Sequence, residues 1–331
     1  MSFVDIQIHI EAIESLESPT LGTTLWRTPL AVAAEEGDDE SVRRLLEVDP
    51  ALANHRDYDD QTPLWLAAEA GHATTVKLLL ERNDVLADCP ERSGQTPLSI
   101  ASQLGHEDVV RLFLQRRDIN INAEDRHGCT PLWYASCSGH ERIVRRLLGR
   151  KDVKPDTADS YGQTPLACAA HAGHESIVKM LIAANTRKGR RDTMGHTTLA
   201  HAADGGHENI VRALLALPDV DADSPDEWMR SPLALAASRG HITVVRLLLA
   251  RPDVEPDSRD LVGQTPLFLA ASHGHDSVVR LLLARDDVMP DIQDRNGHTP
   301  LAAAALRGHE SIVRMLLQCP EVVVTGGITV A

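Results

Sequence analysis

Sixteen histidines and five cysteines in 331 residues are enough titratable and nucleophilic groups to raise acid–base, thiol or metal chemistry. Eight of the histidines (His72, His106, His140, His174, His207, His241, His275 and His309) directly follow a glycine and recur every 33 or 34 residues. Rings placed so regularly read as constituents of a turn, each satisfying local backbone groups. The other eight, His9, His55, His127, His171, His196, His201, His273 and His298, form no H-E-x-x-H and no zinc spacing. No G-x-S-x-G, phosphate loop or dinucleotide fingerprint is present. Motifs therefore assign no catalytic residue, no cofactor and no metal ligand. A site assembled across the chain is a separate matter. His127, Cys129, Tyr161 and His196 at turn positions, with Cys137, His171 and Asp204 on helices, would form an acid–base or nucleophile cluster if neighbouring segments stack.

The elements that must position these residues follow from a repeat. The phrase Gly-Gln-Thr-Pro-Leu occurs at 94–98, 162–166 and 263–267, and its core recurs from Thr28, Thr62, Thr96, Thr130, Thr164, Thr197, Ser231, Thr265 and Thr299. Successive spacings are 34, 34, 34, 34, 33, 34, 34 and 34, giving nine units with one short step. Thr-Pro starts a helix, because the hydroxyl caps it and proline at N1 has no N–H to leave unpaired. An Ala pair lets a neighbour approach closely, and the glycine of Gly-His ends the helix in a left-handed conformation. A second helix repeats apolar residues, as in Ile312, Val313, Leu316 and Leu317, so that one stripe faces the stack. Aspartate followed three residues later by glycine (Asp125/Gly128, Asp159/Gly162, Asp294/Gly297) predicts a tight, hairpin-like turn. Helices this short do not persist alone; each unit must bury its stripe against the next. The result is a solenoid.

Thr-Pro-Leu-x-x-Ala-Ala-x-x-Gly-His-x-x-Val-Val-x-x-Leu-Leu at this period resembles the ankyrin repeat over about residues 23–320. The resemblance implies an all-α repeat solenoid of stacked helix pairs with projecting β-hairpin loops, and a concave face that binds other proteins. It divides the chain into a capping segment at 1–22, nine repeats at 23–320 and a tail at 321–331. Two features depart from the family. Its histidine after Thr-Pro-Leu is replaced by Ala31, Trp65, Ser99, Trp133, Ala167, Ala200, Ala234, Phe268 and Ala302, and its Gly-Ala-Asp-Val-Asn by longer forms such as ARPDVEPD at 250–257.

The family's contact positions, carried onto this chain, give a candidate partner-binding surface. In the early units it comprises Tyr58, Asp59, Glu69 and Arg92, then Arg126, His127 and Cys137. In the later units it comprises Tyr161, His171, His196, Trp228 and Arg230, then Arg239, His273, Arg295 and Arg307. Helical spacing adds Trp65, Trp133 and Tyr134, each four residues before a contact position. Tyrosine and tryptophan are the usual anchors of recognition surfaces, although Trp65, Trp133 and Phe268 also suit the volume that the missing histidine leaves. Charge is graded, with Glu35, Glu36, Asp59 and Glu69 at one end and Arg230, Arg239, Arg295 and Arg307 at the other. The expected partner is a protein or peptide with acidic residues near repeats 7–9. A small-molecule-binding protein or an enzyme, using a pocket of Trp133, Tyr134, Tyr161 and His171, is the second class of function.

A net charge of −15 disfavours nucleic acid and anionic membranes, and no apolar run is long enough for a membrane span. The N-terminus lacks a basic n-region, so no signal peptide is expected. Five cysteines without C-x-x-C suggest free thiols in a reducing, cytoplasmic or nuclear compartment. The irregular step at 181–199 crowds Arg187, Lys188, Arg190 and Arg191 around Gly189. It reads as a solvated, weak joint or as a basic docking patch.

Overall fold

A computed structural model describes residues 27–320 and Val322; the expected capping segment and most of the C-terminal tail lie outside the described residues. Eighteen α-helices and no strands are found among the described residues. The chain divides into two units, residues 1–159 and 160–331. In the first unit, the leading helices of successive repeats are α1 (Pro29–Glu36), α3 (Pro63–Ala70), α5 (Pro97–Leu104) and α7 (Pro131–Cys137). Their partners are α2 (Asp39–Val48), α4 (Ala73–Leu80), α6 (Glu107–Gln115) and α8 (Glu141–Leu148). The second unit has leading helices α9 (Pro165–Ala172), α11 (Thr198–Asp204), α13 (Pro232–Arg239), α15 (Pro266–His273) and α17 (Pro300–Leu306). These pair with α10 (Glu175–Ala183), α12 (Glu208–Leu215), α14 (Ile242–Leu249), α16 (Asp276–Leu283) and α18 (Glu310–Leu317). Within each unit, leading helices pack on leading helices and second helices on second helices, in chain order. Each unit is an all-α repeat solenoid.

Local chemistry explains each element. The hydroxyls of Thr62 and Thr265 accept from the N–H of Trp65 and Phe268, at 3.1 and 3.2 Å, and proline follows at N1. Leading helices end at glycines with positive φ, such as Gly105 (+82°) and Gly240 (+79°). The second helices bury the predicted stripe, as with Ile312, Val313 and Leu316.

Within each unit, three side-chain devices tie repeats to the ones before them. The Gly-His imidazole reaches back: Nε2–H of His140 donates to the carbonyl of Gln103 at 2.9 Å, and that of His275 to Ser238 at 2.9 Å. The ring therefore satisfies the preceding repeat rather than its own turn. It also fills the space of a side chain on the preceding repeat's glycine: a Cβ added to Gly105 or Gly240 would stand 2.5 Å from the ring. An arginine after the second helix caps the C-terminus of the preceding second helix. Arg116 donates to Leu80, Arg150 to Leu114, Arg251 to Leu215 and Arg285 to Leu249, at 2.9 to 3.2 Å. Each is steered by an aspartate two residues on, as Arg251 is by Asp253 at 2.8 Å. Cations suit helix C-termini. The extra residue in ARPDVEPD thus houses a clamp. Further along, Asn54 accepts from Leu86 N–H and donates to the Asp84 carbonyl, a bridge that Asn122 repeats to Lys154 and Asp152. Asp88, Asp223 and Asp257 accept the corresponding N–H, but their second oxygens are buried without a hydrogen bond.

The projecting loops are tight turns in which a stem carboxylate accepts two backbone N–H groups. Asp192 accepts from Met194 and His196, Asp226 from Trp228 and Arg230, and Asp260 from Val262 and Gln264. Adjacent tips share one backbone bond each, such as Leu261 N–H to the Trp228 carbonyl at 2.8 Å. A single bond per tip gives the hairpin path without a strand ladder. Cys89 and Cys129 are free thiols, whereas Cys137 and Cys168 are not, which corrects the expectation that all five are free.

Candidate partner-binding surface and an internal His–Asp cluster

In the first unit, the tips are polar. Tyr58 is 68% exposed with the Arg92 guanidinium 4.4 Å above its ring, and Arg92 lies 3.6 Å from Asp59. Arg126 and His127 are exposed on the neighbouring tip. Trp65 is only 4% exposed and its indole N–H donates to the Gln95 carbonyl at 3.0 Å; it fills the core instead of facing a partner. Glu69 is half-buried, and burial next to Glu35 pushes its carboxyl above the usual range. Glu35 itself pairs with Arg27, which also holds Asp57 at 3.1 Å.

Trp133 and Tyr134 form an edge-to-face pair, 5.5 Å between centroids. The Tyr134 hydroxyl donates to Asp125 Oδ2 at 2.5 Å. Burial and the adjacent Asp125 push the Cys129 thiol up to about 12. Burial there disfavours the thiolate, and the Tyr134 hydroxyl is already committed to Asp125. Cys137 is half-buried.

In the second unit, the tips are apolar. Tyr161, Met194, Trp228, Met229, Leu261 and Val262 are 40–65% exposed, at 65, 48, 40, 48, 43 and 48%. Their tips are linked in order: Thr193 N–H to Tyr161, Glu227 to Met194, Leu261 to Trp228 and Arg295 to Val262, at 2.8 to 3.0 Å. Met229 takes φ +60°, where the corresponding Gly195 and Gly263 have +80° and +85°. Asp60, in the first unit, does the same at +63°, but aspartate tolerates left-handed backbone far better than a long aliphatic chain. Two of the four arginines expected to meet an acidic partner are engaged internally. Arg230 pairs with Asp226 at 2.7 Å and lies 4.8 Å over the Trp228 ring, and Arg239 pairs with Asp204 at 3.0 Å. Arg295 and Arg307 are exposed, and among the described residues neither has an ion-pair partner. His273 is exposed, its Nδ1–H donating to the Leu269 carbonyl at 2.8 Å and its ring stacked on His275.

The chain matches the family model for ankyrin repeats in overlapping segments: 10–89, 30–125, 83–159, 119–192, 151–226, 185–260 and 233–325. It is an ankyrin-repeat protein. No curated protein sequence matches it significantly. Ankyrin repeats are generally protein–protein interaction modules, and no helix among the described residues is long and apolar enough to cross a membrane.

Two features of this ankyrin stack were not anticipated from sequence. The basic loop at 181–199 is knitted into the second unit: Lys188 lies 3.5 Å from Asp219, and Arg191 donates to the Ser224 hydroxyl and the Pro225 carbonyl. The second feature is a cluster behind one tip. Asp192 Oδ2 is 3.3 Å from His196 Nδ1 and 3.0 Å from His201 Nε2. The other edge of His196 is 3.4 Å from the fully buried Asp226 carboxylate, and His171, exposed, sets its ring edge-on to His201 at 5.5 Å. Burial holds the His201 imidazole below its ordinary range. The recurring aspartate was legible as a turn residue. That its second oxygen points at the residue nine positions on, Tyr134 in one repeat and His201 in another, was not.

Proposed function

We propose that this protein is an interaction scaffold whose second unit grips an extended, apolar segment of a partner protein along the row of turn tips. The observation that carries this reading is the apolar character of successive tips, linked by backbone bonds from Tyr161 to Val262. Exposed apolar groups in a contiguous row mark interaction sites rather than ordinary surface. The left-handed Met229 adds to it: strain kept at one tip, where sister tips use glycine, points to a use for that side chain. Arg295 and Arg307, at the far end of the unit, favour acidic residues in the corresponding end of the partner segment.

The test is affinity capture from the native cell with full-length protein, comparing wild type with Met229→Gly and Leu261→Ser. A partner held by wild type should be lost from both variants while their unfolding transitions stay at or above the wild-type midpoint. Equal retention by all three would remove the tip row from the interface.

A further inference from the structure

Asp192, His196 and His201 occupy equivalent places in every repeat: the stem of the turn, its last residue, and the fourth residue of the leading helix. In four other repeats the second place carries glutamine (Gln61, Gln95, Gln163 and Gln264), and in four the third carries an aliphatic residue (Leu66, Ile100, Leu235 and Leu269). Leu66 and Ile100 are buried, so an aliphatic side chain is what the stack accepts here. Among the repeats that depart at both places at once, one has Cys129 and Tyr134 and one has His196 and His201, and only the latter supplies two imidazoles.

The geometry points to a binding site for a divalent metal ion of the zinc class, held by Asp192 Oδ2, His196 Nδ1 and His201 Nε2. All three ligand atoms lie within 4.8 Å of one another. Ligands about 2.0–2.1 Å from a tetrahedral zinc stand about 3.3 Å apart, and the two measured carboxylate–imidazole separations are 3.3 and 3.0 Å. The Asp192 side chain is 3% exposed and that of His201 8%, while His196, at 19%, keeps one edge toward solvent as an entry path. Asp192 Oδ1 is fixed by two backbone N–H groups, which leaves Oδ2 aimed inward. With His196 bound through Nδ1, its Nε2–H faces the Asp226 carboxylate at 3.4 Å. A carboxylate behind the distal nitrogen of a metal-bound histidine fixes the ring and raises its basicity. Asp226 is in turn held by Arg230 at 2.7 Å. Two imidazoles and one carboxylate leave a fourth position for water or for His171, the set found in open rather than closed zinc sites. The last repeat supplies a contrast: His298 Nδ1 is 3.6 Å from Asp294 Oδ2, but Ala303 stands at the third place. Two ligands without a third would hold an ion weakly.

The experiment titrates Co²⁺ into chelator-treated full-length protein, followed by its visible ligand-field absorption, with Zn²⁺ as competitor. We expect one equivalent with a four-coordinate spectrum, displaced by Zn²⁺. His196→Gln and His201→Leu, each borrowing the residue that sister repeats use, should weaken binding at least tenfold. Both variants should keep the far-UV dichroism and metal-free unfolding midpoint of wild type, and His196→Gln, nearer the surface, carries the test should His201→Leu misfold. Metal bound equally by wild type and His196→Gln, through the scattered surface histidines, would overturn the proposal. So would the lack of a four-coordinate spectrum at millimolar Co²⁺.

Discussion

Gly240 and Gly308 stand at equivalent places after their leading helices with nearly the same backbone, φ +79° and +75°, yet they should respond very differently to alanine. At Gly240 a Cβ would stand 2.5 Å from Nδ1 and 2.9 Å from two carbons of the His275 ring, whereas no described atom lies within 4 Å of the corresponding point on Gly308. Both substitutions place alanine in left-handed backbone, at about 1–2 kcal/mol. Gly240→Ala must also displace a ring whose Nε2–H is tied to Ser238 at 2.9 Å, and such overpacking adds about 1–3 kcal/mol. Urea unfolding followed by circular dichroism should therefore show Gly240→Ala less stable than Gly308→Ala by about 1–3 kcal/mol. His275→Ala by itself strands the Ser238 carbonyl, at about 1–3 kcal/mol. In the double variant Gly240→Ala/His275→Ala the clash is gone, so the double loss should fall short of the summed single losses. Equal losses at the two glycines, or strict additivity in the cycle, would refute the idea that the glycine is conserved from repeat to repeat to admit the next repeat's imidazole.

Asp223 is pushed up to about 6, first by burial and then by Asp221, Asp253 and Glu255 around it. Its native state therefore holds a proton that the unfolded chain releases, so its contribution makes stability fall as pH rises from about 4 to about 6, with the penalty complete above that range. Asp223→Asn, copying Asn54 and Asn122, should raise stability at pH 7.5 by about 1–3 kcal/mol and flatten the profile across that window; a loss at pH 7.5 would contradict it. The charge at the end of the second unit is tested by Arg295→Glu/Arg307→Glu. Affinity for the captured partner should fall and become less sensitive to salt, with the unfolding midpoint unchanged; unaltered affinity would place the partner's contacts elsewhere.

The repeat, its helix boundaries and its turns were legible because they rest on local rules: a threonine cap with proline at N1, a glycine at the helix end, an apolar stripe. Gly-His was read as structural on regularity alone, but the partner of the ring, a carbonyl one repeat back, is set by stacking geometry that spacing does not contain. The same limit hid the Arg-x-Asp clamp. Arg251 and Asp253 look like a solvated pair until the helix terminus at Leu215 is brought beside them. The candidate surface was half legible. Exposure of Tyr58, Tyr161 and Trp228 followed from their place in turns, but Trp65 shared a helical face with Glu69 and still went inward, because the next repeat offers its indole the Gln95 carbonyl.

A chain of near-identical repeats acts as its own set of controls, and departures carry more meaning than agreement. Where a repeat lacks the arginine clamp, as at Leu217 in the place of Arg251, other bonds take over: Thr186 donates to the Leu181 carbonyl at 2.9 Å and Lys188 reaches Asp219. That is compensation, and it explains how the short step stays inside a compact unit. Where Met229 replaces glycine, or His201 replaces leucine, no structural deficit is being repaired. The glycine and the leucine serve the sister repeats well, and the replacements add strain in one case and buried polarity in the other. A partner segment for Met229 and a metal ion for His201, as proposed above, give each replacement a use in binding, and the two residues fall within one repeat step of each other, on the tip and immediately behind it.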